Sequence, residues 1–298
     1  MTRTAISPRL AIRIFFSTDA NVGGVSQTPG IDDDEVPDSP GVSHGSWLVS
    51  TVSETGSTND DLLRAAAKGG LVDRSVLRTD HQTSGRGRLD RRWDAPPGSN
   101  LLASVFFASP GAHPGEMLQR VGVAVVRALG RERAVGEHVL GERRLGEYGQ
   151  EPKALGLKWP NDVLFDGRKL AGVLAQRLAA TQADAVGGLV VGFGVNIGWA
   201  PPGAARVAEM CEVEPAVLLT SILDSFDALP EGRTAFADVY RRHLLTIGQQ
   251  VRVHLPREET FDGLATGVDA DGRIIIRSAG DVERVFDIGD VVHLRPGR

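Results

Sequence analysis

An α+β fold in two ordered parts, preceded by a tail, is predicted by three features of the chain. Strand-length hydrophobic runs alternate with helix-length amphipathic segments from Trp47 to Thr246. From Gln249 onward the helical period disappears, and short strands joined by tight turns take over. From Asn21 to Gly45 the chain is dominated by Gly, Ser, Pro and acids, including Asp32-Asp33-Asp34-Glu35, and cannot bury enough apolar surface to offset the entropy of ordering it. The expected boundaries are therefore a disordered tail over 1–46, a mixed sheet-and-helix domain over 47–247 and a small β-barrel domain over 248–298.

The 298 residues are 41% hydrophobic and 24% charged, as in a globular protein of about two domains. A formal net charge of -5 excludes a general polyanion binder, so any affinity for nucleic acid needs a local patch. The one cysteine, Cys211, cannot form an intramolecular disulfide. No stretch is long and apolar enough to span a bilayer, and the apolar run Leu10–Phe16 is broken by Arg13. No membrane association and a cytoplasmic location are expected.

Trp47 to Val52 is β-prone. Ser57-Thr58-Asn59-Asp60 then opens a helix, in which Thr58 or Asn59 is expected to cap and Gly69-Gly70 to terminate. Ser75 to Thr79 is the next strand. It leads into Gln82-Thr83-Ser84-Gly85-Arg86-Gly87-Arg88-Leu89-Asp90-Arg91-Arg92-Trp93, where four arginines fall within seven positions. Glycines let a main chain approach an anion closely, guanidinium forks match phosphate or carboxylate oxygens, and a tryptophan offers a flat face to a ring. Asn100 to Ala108 follows as a buried strand and Pro114 to Gly130 as an amphipathic helix, so the arginine loop is bracketed by core elements. Residues 131–153 are charged and glycine-punctuated, which suggests an exposed excursion.

Leu157 to Val173 contains Lys158-Trp159-Pro160-Asn161-Asp162 and Arg168-Lys169-Leu170-Ala171-Gly172, and predicts a hairpin turning at Asp166-Gly167. Lys158 and Lys169 would then point into one cleft, since burying an unpaired lysine is costly. Asp162 is suited to an Mg²⁺ ion carried on phosphate oxygens. Gly188 to Asn196 is a glycine-interrupted apolar strand with Asn196 placed to hydrogen-bond a base edge. Neither a dinucleotide fingerprint nor a Walker loop is present. Helices are predicted from Glu214-Pro215 to Leu229 and from Arg233 to Thr246. Strands are predicted at 251–255, 274–276, 282–286 and 291–294, with a turn at Asp269–Gly272.

Taken in order, Gly56-Ser57-Thr58-Asn59, Gln82, Gly85-Arg86-Gly87-Arg88, Trp93, Lys158–Asp162, Arg168–Gly172, Gly194-Val195-Asn196 and the C-terminal strands make the chain resemble the biotin protein ligases over about residues 47 to 298. The resemblance implies a catalytic domain like that of class II aminoacyl-tRNA synthetases, followed by an SH3-like barrel. It implies attack of biotin's carboxylate on the α-phosphate of MgATP, then transfer from biotinyl-5′-AMP to a lysine of a biotin carboxyl carrier protein. By family match, Ser57, Thr58, Asn59, Gln82, Arg86, Gly87, Arg88, Lys169 and Gly172 would bind biotin. Arg86, Arg88, Trp93, Lys158, Asn161 and Asn196 would bind ATP or the adenylate, Asp162 would hold Mg²⁺, and Arg88, Lys158 and Lys169 would act in catalysis.

One departure lies in the loop itself. The family commonly continues Gly-Arg-Gly-Arg with Arg-Gly-Arg, whereas this chain has Leu89-Asp90-Arg91. A lipoate or octanoate ligase is the nearer alternative. A biotin-responsive repressor is the more distant one, and the tail lacks the paired helices and basic face that it would need, so no nucleic acid partner is expected. A monomer or weak dimer is expected.

Overall fold

Strand alternation builds one large sheet. The computed structural model describes residues 42–89, 91–111, 113–139, 154–178, 188–255, 259–287 and 290–293. Eight strands make up this sheet: β1 (Val42–His44), β2 (Trp47–Thr55), β3 (Ser75–Gln82), β4 (Leu101–Phe107), β5 (Leu155–Lys158), β6 (Asp162–Phe165), β7 (Arg168–Arg177) and β8 (Leu189–Val195). Their order is β1-β2-β3-β4-β8-β7-β6-β5. Among the described strands only β2 and β3 pair in parallel, because the helix α1 (Thr58–Ala67) between them is the crossover that a parallel pair requires.

Every residue of β4 and β8 is buried, which requires cover on both faces. On one face Leu101, Ala103, Val105, Val191, Phe193, Val195 and Val173 pack with Val121, Ala124, Val125 and Ala128 of α2 (Gly115–Val139) and with Leu218 and Ile222 of α3 (Pro215–Asp227). At about 1.5–3 kcal/mol per fully buried large aliphatic or aromatic side chain, this face carries most of the hydrophobic stabilisation. The opposite face is thinner. There Leu77, Phe106 and Val190 meet Leu62 of α1, and among the other positions Ser104, Gly172, Gly192 and Gly194 are too small to fill the space.

A fourth helix, α4 (Arg233–His243), leads to a five-stranded antiparallel sheet. It comprises β9 (Gln250–His254), β10 (Thr260–Val268), β11 (Ile274–Arg277), β12 (Glu283–Phe286) and β13 (Asp290–His293), in the order β12-β11-β10-β9-β13. The turn before β11 is built by Asp269, whose carboxylate accepts from the N–H groups of Asp271 (2.9 Å) and Arg273 (3.0 Å), while Gly272 takes φ 74°.

Several expectations are corrected. Order begins before Trp47: β1 falls inside the stretch assigned to the tail and pairs with β2, while residues 1–41 lie outside those described. α2 continues nine residues past Gly130, since Arg131, Glu132, Arg133 and Ala134 are good helix formers and one glycine costs only about 1 kcal/mol. β10 was not foreseen because Asp262, Gly263 and Gly267 weaken its strand signal. The single hairpin expected over 157–173 is three strands, because Trp159–Asn161 forms a turn of its own. The Asp166-Gly167 turn is as expected, with φ 52° and 72°, as a type I′ turn requires.

Candidate active site

The open face of the sheet is a pocket of about 250 Å³, walled by the start of α1, the arginine loop and the β6–β7 hairpin. Its floor is glycine. A Cβ on Gly192 would stand 2.1 Å from Asn59 Oδ1, and one on Gly194 would stand 2.4 Å from Trp93 Cε2. Side chains on these central strands would fill the cavity, so the glycines keep it open.

Ser57, not Thr58 or Asn59, is the N-cap of α1; its hydroxyl accepts from the Asp60 N–H at 3.5 Å. Thr58 and Asn59 are thereby released into the pocket wall, where they are fixed by a buried network. Ser104 Oγ donates to Asn59 Oδ1 (2.5 Å), and Asn59 Nδ2 donates to Gln176 Oε1 (2.6 Å). With the Ser104 proton so committed, Thr58 Oγ1 must donate to Ser104 (2.6 Å). Gln82 Oε1 is then held by the Thr58 backbone N–H at 2.9 Å, which leaves the Gln82 amide N–H₂ directed at the loop beside Gly85.

The loop is a small hairpin. Trp93 N donates to Gly85 O (2.9 Å), Gly87 N donates to Arg91 O (2.6 Å), and Arg86 bridges Arg92. A Cβ on Gly85 would meet Trp93 O at 2.3 Å, so the tight closure requires glycine there. Leu89 takes φ 56°, a conformation strained for a residue with a branched side chain; Asp90 lies outside the described residues. Arg86 pairs with Asp60 at 3.2 Å, and Arg88 Nη1 donates to Asn161 Oδ1 at 3.0 Å. Asn161 is anchored in turn by its own amide donating to Val173 O (2.9 Å). Lys169 Nζ pairs with Asp162 at 2.7 Å and stands 5.4 Å from the Trp93 ring. The indole lies on Gly172 and Gly194, with its N–H buried and without a partner.

Arg86, Arg88, Arg91, Arg92 and Lys169 thus line one pocket in which, among the described residues, Asp162 is the only lining carboxylate, an excess of positive charge suited to an anionic ligand. Of the residues expected at the site, Ser57, Thr58, Asn59, Gln82, Arg86, Gly87, Arg88, Trp93, Asn161, Asp162, Lys169 and Gly172 all line it. Two do not. Lys158 ends β5 outside the lining, where its charge, second to burial, lowers the pKa of His293. Asn196 is buried, its amide donating to Ala205 O (3.0 Å) and its backbone N–H to Leu170 O (3.0 Å). Ser104 and Gln176 are not among the residues expected from the sequence, although a lone serine in the otherwise apolar β4 is a signal that can be read.

Beside the pocket, Arg168 Nη2 donates to Glu209 Oε2 (2.5 Å), tying the β6–β7 hairpin to the turn after β8. This hydrogen bond, against the opposing effect of burial, holds the Glu209 carboxyl below the usual value of 4.5. A lowered native pKa contributes stability that is present above the unfolded value and lost as pH falls through the native one. Wild type should therefore melt above Glu209→Gln at pH 7, and the difference should shrink as pH falls below 4.5 and vanish once it is below the lowered native value, as followed by thermal unfolding. Burial raises the Cys211 thiol pKa, which makes it a poor nucleophile. Among the described residues no group of three or more His, Cys, Asp or Glu could hold a metal, and no helix is long and apolar enough to cross a membrane.

Comparison with known proteins places this geometry. Residues 54–196 match the biotin/lipoate A/B protein ligase family, and residues 246–294 match the biotin protein ligase C terminal domain. The chain is 34% identical over 268 residues to the biotin–[acetyl-CoA-carboxylase] ligase of Mycobacterium tuberculosis, covering 86% of this chain and 92% of that one. It is 32% identical over 244 residues to the enzyme of the same name from Paracoccus denitrificans, covering 76% and 92%. In fold it is similar to the biotin protein ligase from Aquifex aeolicus in complex with biotin and ATP, with a TM-score of 0.62 and 23% identity, over 83% of this chain and 99% of the other. With sheet, pocket and sequence in agreement, the chain belongs to the biotin/lipoate A/B protein ligase family.

Proposed function

We propose that this chain ligates biotin to a lysine of a biotin carboxyl carrier domain through biotinyl-5′-AMP. The observation that carries the reading is the meeting, in one glycine-floored pocket, of Arg86, Arg88 and Lys169 with the polar wall of Thr58, Asn59 and Gln82. The wall suits an uncharged ureido ring, which is recognised by hydrogen bonds, and the cations suit a carboxylate and a phosphate. Two anions must approach each other for the adenylate to form, and fixed guanidinium and ammonium groups lower that repulsion most where charge develops. Lys169 is positioned to orient the carboxylate, and Arg88, braced by Asn161, to hold the transferred phosphate. Trp93 supplies the apolar lid, with an indole N–H still to be paired. A nucleotide-borne Mg²⁺ needs only one or two protein carboxylates, and Asp162 fits that part, so the ion would screen phosphate charge there.

Within the same reading, the large sheet, extended at its edge by β1, corresponds to a class II synthetase-like catalytic domain assigned to 47–247, and the C-terminal strands to an SH3-like barrel over 248–298. The carrier domain of acetyl-CoA carboxylase or a related carboxylase is the proposed partner, and the cytoplasm the proposed location. Lys158 and Asn196 would serve adenylate binding only after local rearrangement, because their side chains lie outside the pocket lining.

ATP–pyrophosphate exchange measured with biotin, octanoate and lipoate in turn tests the assignment. Exchange is expected with biotin alone; exchange that requires lipoate and ignores biotin would overturn it. The Arg88–Asn161 hydrogen bond makes a further demand. Arg88→Ala and Asn161→Ala should each slow exchange, and the double variant should be slower than the more damaged single one by less than about threefold, since both remove one interaction. Full additivity would show that the two act independently.

A further inference from the structure

We propose that a second cavity, between α2, α4 and the C-terminal sheet, receives the lysine side chain of the carrier domain in the second half-reaction; this rests on the ligase reading above. The cavity measures about 270 Å³ and shares Arg88, Asn161 and Leu174 with the adenylating pocket. The two spaces thus meet at the Arg88–Asn161 hydrogen bond, beside the position assigned to the mixed anhydride. A nucleophile entering by this route approaches the anhydride past the Arg88–Asn161 pair and away from the glycine floor.

The lining matches a lysine. Trp159, Phe236, Ala237 and Val268 give apolar walls for four methylenes. Tyr240 is 2% exposed, and its hydroxyl has no hydrogen-bond partner among the described residues. Asp287 is half-buried at the rim, where its charge acts on Arg273 without a hydrogen bond or close ion pair among the described residues. The neighbouring arginines are engaged: Arg273 pairs with Asp269 (2.6 Å), and Arg233 pairs with Asp271. The rim therefore presents a surplus carboxylate, which attracts an ammonium and repels a polyphosphate. The wall is held in place by Trp159 Nε1 donating to Gly272 O at 2.9 Å.

In the reaction the ammonium gives up one proton to solvent, and its nitrogen attacks the anhydride carbonyl carbon. The new C–N bond forms as the bond from carbon to the phosphate oxygen breaks, AMP leaves with the electron pair, and a second proton is lost to solvent as the amide forms.

The experiment compares wild type with Ala237→Leu, which fills the cavity, and Asp287→Asn, which removes only the charge. Three quantities are read: biotin-dependent ATP–pyrophosphate exchange, trapping of the adenylate by hydroxylamine, and transfer to a carrier domain. Both variants should keep exchange, the KM for ATP and trapping within about twofold. Ala237→Leu should lower carrier kcat/KM by about tenfold or more, and Asp287→Asn should raise carrier KM by about threefold. Carrier transfer unchanged in both variants, or a raised KM for ATP with normal transfer, would overturn the proposal. Should Ala237→Leu also lose exchange, Asp287→Asn decides the matter, since it adds no volume: an unchanged carrier KM then rejects the lysine route. Wild-type protein that shows no exchange with biotin would instead reject the ligase reading itself.

Discussion

Lys169→Ala is expected to slow biotin-dependent ATP–pyrophosphate exchange by about 10²–10³-fold while leaving the fold intact, because it removes fixed charge from the reacting carboxylate. The side chain is poised and not buried: it pairs with Asp162 at 2.7 Å, lies 5.4 Å from the Trp93 ring and remains partly solvent-exposed. An exposed pair of this kind adds little to folding stability, so thermal unfolding should hardly change. Lys169→Arg keeps the charge, but a bulkier planar fork does not reproduce a compact ammonium at this site, and only partial rescue is expected. Exchange in Lys169→Ala at the wild-type rate would remove the residue from the chemistry.

Gly192→Ala should damage both stability and binding. The added Cβ would lie 2.1 Å from Asn59 Oδ1, 2.9 Å from Asn59 Cγ and 3.1 Å from Ser104 Oγ. Asn59 cannot give way, because its amide is bonded at both ends, to Gln176 and to Ser104. The start of α1 must move, at a cost of about 1–3 kcal/mol for overpacking. The melting temperature should fall by roughly 2–4 °C per kcal/mol for a chain of this size, and the KM for biotin should rise by about tenfold or more. Gly194→Ala provides the contrast. Its Cβ would strike Trp93, 2.4 Å from Cε2, on the loop and not on the core, so turnover should fall with little change in melting temperature. Calorimetry and exchange kinetics on the two variants separate these outcomes, and equal melting temperatures would contradict the assignment of the Asn59 network to the scaffold.

The chemistry of the site was easier to read from the sequence than its scaffold. Gly85-Arg86-Gly87-Arg88 and Trp93 stand out in the chain because dense guanidinium charge between glycines serves few purposes other than an anion. Lys169 and Asp162 stand out because charged side chains on apolar strands need partners, and here they are each other's. Gln176 carries no such mark. Its role arises only when β4, β7 and β8 are brought into register opposite α1, a tertiary event that local pattern does not encode. Thr58 and Asn59 were read as caps because capping is the commonest use of such residues, and Ser57, one position earlier, takes that part instead. Lys158 and Asn196 have the residue types the site needs, yet a turn ends β5 before Lys158 reaches the pocket lining, and Ala205 O occupies the Asn196 amide. Among the strands, β10 is hidden by Gly263, where a Cβ would meet Arg277 O at 2.3 Å; the close approach that forbids a side chain also erases the strand signal.

Leu89 remains the point at which sequence and backbone disagree most. A φ of 56° lies in the left-handed region, which favours glycine over leucine. The hairpin closes nonetheless, through Gly85 to Trp93 and Gly87 to Arg91.

The most direct test of the proposed activity is the intact mass of a biotin carboxyl carrier domain after incubation with this protein, biotin and MgATP. One biotinyl group should be added, at a single lysine, only when biotin and ATP are both supplied, and the addition should be lost with Lys169→Ala. A carrier that stays unmodified under these conditions, or that accepts a lipoyl group in preference to biotin, would contradict the assignment.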